Sequence, residues 1–171
     1  MIRLRSAKPS DQQMLEAWDK EPHVIACDPS EGLDWAFELP RELQWRELLI
    51  AEHDDFPFGF IQIIDPKEEE THYWGEIGAN LRAIDIWIGP RSHLNKGFGT
   101  IIMKMALERC FGPSNVEAVI IDPLLTNTSA IRFYKRLGFS EEEIQDFDGD
   151  KCQIMRISRE EWTPSESDPQ T

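Results

Sequence analysis

The chain predicts one mixed α/β domain, and three observations carry that expectation. Its 171 residues, 40% hydrophobic and 10% aromatic, suit a single compact unit with an ordinary core. Short β-rich apolar runs recur along it, FGFIQIID and VEAVIID among them, as strands do. Phe98, Ile101, Ile102 and Met105, and later Ala130, Ile131, Tyr134 and Leu137, fall at helical spacing, which is the stripe of a helix packed on a sheet.

The elements follow in order. IRLR near the start alternates like a short strand, and Pro9-Ser10-Asp11 opens a capped helix through Met14, Leu15 and Trp18. Residues Glu21 to Gly32 hold Pro22, Pro29 and Gly32 and read as a loop. A helix is expected from about Asp34 to Glu47, interrupted or split by Pro40. ELLIAEH and FGFIQIID read as antiparallel strands joined by a turn over His53-Asp54-Asp55-Phe56-Pro57. Pro66 to Asn80 has no sustained period and mixes charges with aromatics, as a binding loop does. LRAIDIWIG is the next strand, followed by a helix from Gly97 onward, the strand VEAVIID, and a helix from Asn127 to Leu137 that Gly138 stops. KCQIMRI is a last alternating strand. The order is therefore β, α, α, β, β, β, α, β, α, β, β. The domain is expected to span 1–162, with a disordered tail over 163–171, where TPSESDPQT is polar and Pro-containing.

Composition narrows the function. No apolar segment resembles a secretion signal or reaches the roughly 18 residues that cross a bilayer, so a cytoplasmic protein with no membrane partner is expected. Cys27, Cys110 and Cys152 are scattered and form no metal-ligand spacing with His23, His53, His72 or His93, so reduced thiols and no metal are expected. Those histidines likewise offer no spacing with a Ser or Cys nucleophile, which argues against a histidine-based hydrolase. The net charge of −14 argues against nucleic acid, whose backbone needs clustered Lys and Arg, and favours cationic partners. The charge is uneven. Arg91, Lys96 and Lys104 stand alone between Asp85 and Glu108, as do Arg132, Lys135 and Arg136 between Asp122 and Glu141. The two windows carry +3 each, leaving −20 on the rest. Such islands are either solvated helix faces or anion sites.

Three features bear on chemistry. Lys96-Gly97-Phe98-Gly99-Thr100 leads into a helix, where close backbone approach, free N–H groups and the dipole favour a phosphate. It matches neither the dinucleotide fingerprint nor the Walker loop, and a plain turn is its alternative. Asp85 interrupts an apolar strand, and an unpaired carboxylate is costly to bury, so it faces either a pocket or a partner at a sheet edge. Asp122 ends a buried strand just before Pro123, where open α/β sheets place binding crevices or where a helix-entry turn sits.

The unit also resembles the GCN5-related N-acetyltransferase (GNAT) superfamily. Leu94-Asn95-Lys96-Gly97-Phe98-Gly99 matches its Q/R-x-x-G-x-G/A loop except at Leu94, and a second block runs Asn127, Ala130, Ile131, Arg132, Tyr134, Gly138, Phe139. The resemblance covers about residues 80 to 157. It implies a GNAT-like, mixed, mostly antiparallel sheet with a central splayed strand pair and flanking helices, and acetyl-CoA (coenzyme A) as cofactor. Cofactor contacts carry over to Ile86, Trp87, Ile88, Arg91, Lys96, Gly97, Phe98, Gly99, Thr100, Asn127, Arg132 and Lys135. Asn127 also suits a helix cap.

Within the superfamily, AIDIWIG, NKGFGT, AIRFY and GF look most like the aminoglycoside 6'-N-acetyltransferases. That likeness implies Asp85 as the carboxylate beside the acetylated amine and Tyr134 as the acid that protonates the leaving thiolate, although a tyrosine on an apolar stripe also suits a core. Trp74, Glu76, Asp85, Asp122 and one of Asp148 or Asp150 would form the substrate wall, with Tyr73 and Trp74 over sugar rings or cations. The expected partner is a cationic small-molecule amine, and the expected state a monomer or homodimer. Protein amines, siderophore precursors, and a non-catalytic acyl-CoA-binding domain are the alternatives.

Overall fold

A computed structural model of the chain describes residues 1–28 and 32–164. Seven strands form one sheet, in the order β1-β2-β3-β4-β5-β7-β6. They are β1 (Ile2–Ser6), β2 (Arg46–His53), β3 (Phe56–Ile64), β4 (Leu81–Ile88), β5 (Ala118–Ile121), β6 (Ser140–Phe147) and β7 (Asp150–Ser158). Every neighbouring pair is antiparallel except β4 with β5. The helices are α1 (Gln12–Trp18), α2 (Pro22–Cys27), α3 (Trp35–Glu38), α4 (Phe98–Phe111) and α5 (Thr128–Arg136). Among the described residues no helix is long and apolar enough to cross a membrane.

The alternation of β4 divides the core. Ile84, Ile86 and Ile88 join a cluster with Ile102, Met103, Ala106 and Leu107 of α4 and Ile131 of α5. Trp87 points the other way, into a cluster with Leu15 and Trp18 of α1, Trp35 of α3, and Phe60. A third cluster, Trp74, Ala83, Ile120 and Ile154, seats the loop between β3 and β4. The order of elements follows the sequence pattern with one addition. Residues read as a loop over Glu21 to Gly32 contain α2, which Pro22 starts at its first position, where a missing N–H costs nothing. The helix expected from Asp34 to Glu47 is only four residues long. Pro40 ends it, and Arg46 already belongs to β2. The expected five-residue connection between β2 and β3 shrinks to Asp54 and Asp55, both left-handed at φ 49° and 69°, which is the twist a two-residue hairpin turn requires. Residues 165–171 of the expected tail lie outside the described residues.

Two irregularities position the site. Glu52 pairs with Pro57 and Ala51 with Gly59, so Phe58 is bulged out of register. The bulge turns Phe58 toward α4 while Phe60 stays on the opposite side. The second is the junction of β4 and β5. Their parallel pairing runs only from Leu81↔Ala118 to Ala83↔Ile120, although β4 continues to Ile88. Beyond Ala83 the two strands part.

Where β4 ends, Gly89 lies against the indole of Trp18, which is 7% exposed. A methyl group there would overlap the Trp18 ring carbons. Gly89→Ala is expected to destabilise the protein by about 1–3 kcal/mol through overpacking, seen as a lower urea midpoint at unchanged slope.

Candidate active site

A cleft of about 600 Å³ opens where β4 and β5 part. It is lined from both faces of the sheet. Asp85 and Trp87 reach it from the α1/α3 side, and Tyr134, which packs against the α4/α5 core, reaches it from the other. Such joint access requires the gap between the strands. The walls hold nine carboxylates, Asp19, Asp28, Glu38, Glu69, Glu70, Asp85, Asp122, Asp148 and Asp150, against one guanidinium, Arg46. Arg46 is already bonded to Glu38 at 2.5 Å, so the cleft presents a strongly negative potential focused between protein walls.

Asp85 pairs across the sheet with Gln62, whose Nε2 donates to Asp85 Oδ2 at 2.7 Å. Burial raises the Asp85 carboxyl above the usual range, and the charge of Asp28 adds to that, while the bond from Gln62 opposes it. Asp122 follows the last residue of β5. Tyr73 Oη donates to its Oδ2 at 2.6 Å. Burial, and then the neighbouring charge of Asp85, push Asp122 up to about 8, with the Tyr73 bond acting downward. The two carboxyl groups therefore titrate as a pair that resists holding two negative charges. Burial, followed by the charges of Asp85, Cys27 and Asp122, raises the Tyr134 phenol well above its ordinary value.

The glycine loop lies at the start of α4. Asn95 is left-handed at φ 57°, and Gly97, the N-cap, at φ 81°. No side chain caps the helix, and a Cβ on Gly97 would meet nothing within 4 Å. The first-turn N–H groups of Phe98, Gly99 and Thr100 consequently face outward as donors, which is the arrangement a pyrophosphate needs. Lys96 and Arg91 stand exposed beside them.

Of the residues singled out from sequence, Trp74, Asp85, Ile86, Trp87, Asp122, Asn127, Tyr134, Asp148 and Asp150 line the one cleft. Asp148 and Gly149 form the two-residue turn between β6 and β7, which brings both Asp148 and Asp150 to the rim. Glu76 is exposed and outside the lining, a correction to its place in the expected wall. Trp74 is 8% exposed and packs edge-on to Phe147, so it serves the wall as a support more than as an open stacking face. Asn127 caps α5, its Oδ1 accepting from Ala130 N at 3.2 Å. Its Nδ2 lies 3.8 Å from Cys27 Sγ. Ile88 lies outside the lining, and its carbonyl accepts from His23 Nε2 at 2.8 Å. Arg132 and Lys135 are exposed on α5, and Lys135 pairs with Glu141 at 2.9 Å. Gln62, Glu69, Glu70, Cys27 and Asp28 also line the cleft, and sequence reasoning passed over them. Gln62 carried a signal, since it interrupts FGFIQII as Asp85 interrupts AIDIWI. Cys27 and Asp28 carried none.

The site thus combines a donor cradle for an anion at a helix start with an acidic cleft where the sheet opens. Comparison with known proteins gives the particular family. Residues 8–147 match the model of the acetyltransferase (GNAT) domain, and the chain belongs to that family. It is an acetyl-CoA-dependent N-acetyltransferase. The aminoglycoside N(6')-acetyltransferase type 1 proteins of Klebsiella pneumoniae and Serratia marcescens are each 30% identical over 150 residues, covering 82% of this chain and 75% of theirs. A crystal structure of aminoglycoside acetyltransferase AAC(6')-Ib with coenzyme A and kanamycin superposes with a TM-score of 0.84 at 25% identity, over 94% of this chain and 96% of that one.

The raised Asp122 makes the site a source of instability. A carboxyl whose pKa is higher in the folded than in the unfolded protein makes the folded state bind more protons, so stability falls as pH climbs from the ordinary carboxylate range toward 8. Asp122→Asn removes that charge while leaving Tyr73 an acceptor. It is expected to raise Tm by at least ~2 °C at pH 8 and to leave it nearly unchanged at pH 5, as read by differential scanning calorimetry.

Proposed function

We propose that this acetyltransferase acts on a primary amine of a polycationic small molecule, the 6'-amine of an aminoglycoside. The observation that carries the reading is the nine-to-one excess of carboxylates over guanidinium in the cleft that opens where β4 and β5 part. A substrate bearing several ammonium groups matches that wall by charge. The names of the relatives support the same choice.

The geometry supports the following roles. Bound acetyl-CoA supplies an activated acetyl thioester. The N–H groups of Phe98, Gly99 and Thr100, with Arg91 and Lys96 nearby, would hold its pyrophosphate, and Arg132 and Lys135 add positive charge along α5. Past Ala83 the edge of β4 faces no partner strand, which leaves alternate backbone groups around Ile86 and Trp87 free to orient and polarise a carbonyl. Asp85 binds the substrate ammonium and accepts its proton, because only the neutral amine has a lone pair to give. Its raised pKa suits that task better than an ordinary carboxylate would. Tyr134, across the gap, donates the proton that the departing sulfur needs. Its elevated pKa comes partly from Asp85 and Asp122, so an ammonium bound between those carboxylates brings the phenol back toward the range of a useful acid.

Release of free thiol should be followed with kanamycin, tobramycin, a lysine peptide and a hydroxylamine siderophore precursor. Robust turnover is expected with the aminoglycosides, each product gaining one acetyl group at the 6'-amine by NMR. Turnover confined to the peptide or the siderophore precursor would overturn the substrate assignment. Asp85→Asn is expected to reduce kcat about a hundredfold or more with the Kd for coenzyme A changed less than about twofold. Tyr134→Phe is expected to lower kcat with KM for the amine retained. Because Asp85 must be ionised to work, kcat/KM of the wild type should rise with pH, with its acid limb above the ordinary carboxylate range.

A further inference from the structure

The loop between β3 and β4 reaches the cleft through a chain of hydrogen bonds that no role assigned so far uses. Glu69 is 7% exposed. One of its oxygens accepts from Thr71 N at 2.8 Å, and the other accepts from the Thr71 hydroxyl at 2.9 Å and from Tyr73 N at 2.8 Å. Both carboxylate oxygens are thereby occupied in closing one turn, and charge-assisted bonds of this kind rigidify the backbone they cap. His72 is left-handed inside that turn at φ 53°, and Gly75 N donates to His72 O at 2.8 Å. Trp74 anchors the turn on Ala83, Ile120 and Ile154.

What the turn presents is Tyr73. Its ring stacks on Phe147 with centroids 4.3 Å apart and planes 5° from parallel, and its hydroxyl is bonded to Asp122 Oδ2. Backbone, ring and hydroxyl are each held by a different partner. A phenol donor stabilises the ionised carboxylate and occupies one of its oxygens, leaving the other for a ligand. The groups that bear on Asp122 from the surrounding elements are Asp85 on β4, Asp28 after α2, Tyr134 on α5 and Cys152 on β7, and none of them is a cation. Tyr73 is the side-chain donor that counters their effect on Asp122, with a backbone N–H acting in the same direction.

We propose that Tyr73, held in place by Glu69, is a positioning residue that orients Asp122 and favours its ionised form when an ammonium group of the substrate arrives. The inference rests on the reading of the substrate as a polycationic amine and adds the device that readies its second carboxylate. Loss of the phenol raises the pKa of Asp122, so a larger fraction is protonated near neutral pH and the cation binds less well. Asp85 keeps its bond from Gln62, so the chemical step is spared.

The test combines a titration with kinetics. Carbon-detected NMR of side-chain carboxyl groups, with Asp122 assigned from Asp122→Asn, should show its midpoint moving upward by at least ~0.5 unit in Tyr73→Phe, which keeps the stacked ring. At pH 7 the same variant should show KM for kanamycin raised about three- to tenfold, the factor that a shift of 0.5–1 unit produces, with kcat within about twofold of wild type. Glu69→Ala should reproduce this behaviour, and Glu69→Gln, which keeps an acceptor, should restore part of it. An unmoved Asp122 midpoint in Tyr73→Phe overturns the proposal, and a lower Tm with that midpoint unmoved assigns Tyr73 to structure alone. Should the wild type acetylate no polycationic amine, the substrate reading fails and the midpoint still decides the bond's role.

Discussion

The parting of β4 from β5 is the constraint on which the rest of this molecule depends. After three parallel pairs, β4 runs on to Ile88 while β5 stops at Ile121. Asp122-Pro123 follows, and the chain stays with β7 instead. Gln153 N donates to Pro123 O at 2.9 Å, Leu125 N donates to Lys151 O at 2.8 Å, and Leu124 bridges to Cys152. The bonds to β7 draw the segment away from β4. The gap that results lets Tyr134 on one face and Asp85 on the other line a common space.

That gap also explains the charge distribution. A carboxylate in a closed sheet would need a bonded partner for every lone pair. Here Gln62 and Tyr73 each satisfy one oxygen of Asp85 and Asp122, and the cleft keeps the remainder open. The protein holds two carboxyl groups in a state that favours one proton between them, a tension that a bound ammonium relieves. Cost to stability and readiness for a cation are two consequences of one arrangement. The basic islands sit apart from it, at the start of α4 and along α5.

Where sequence and structure differ, local signals had been outvoted. The segment around Pro22 looked like a loop because proline and glycine punctuate it, yet Pro22 is at a first helical position that tolerates it. Phe58 and Phe60 share a parity in the sequence and would be placed on one face. A bulge separates them, and nothing in the local pattern announces it. Asp54-Asp55 and Asp148-Gly149 are two-residue turns, and the second was legible as a dipeptide favoured in such hairpins. Glu76 was expected in the acidic wall, but the path of the loop decides which of its carboxylates line the cleft, and those are Glu69 and Glu70.

By itself the sequence determined the order of elements apart from α2, the helical stripes, the glycine turn ahead of α4, and the presence of a carboxylate in an apolar strand. These are local properties, set by spacing and by the cost of burying charge. Only the tertiary structure decided that Asp85, Asp122, Tyr134 and Asn127 share a cleft, that Gln62 and Tyr73 hold the two carboxylates, and that α2 brings Cys27 and Asp28 to the same wall. Several of those relations join residues far apart in the chain, Gln62 with Asp85, Tyr73 with Asp122 and Cys27 with Asn127. Strand pairing is a choice among distant partners, and no short window of sequence contains both sides of it.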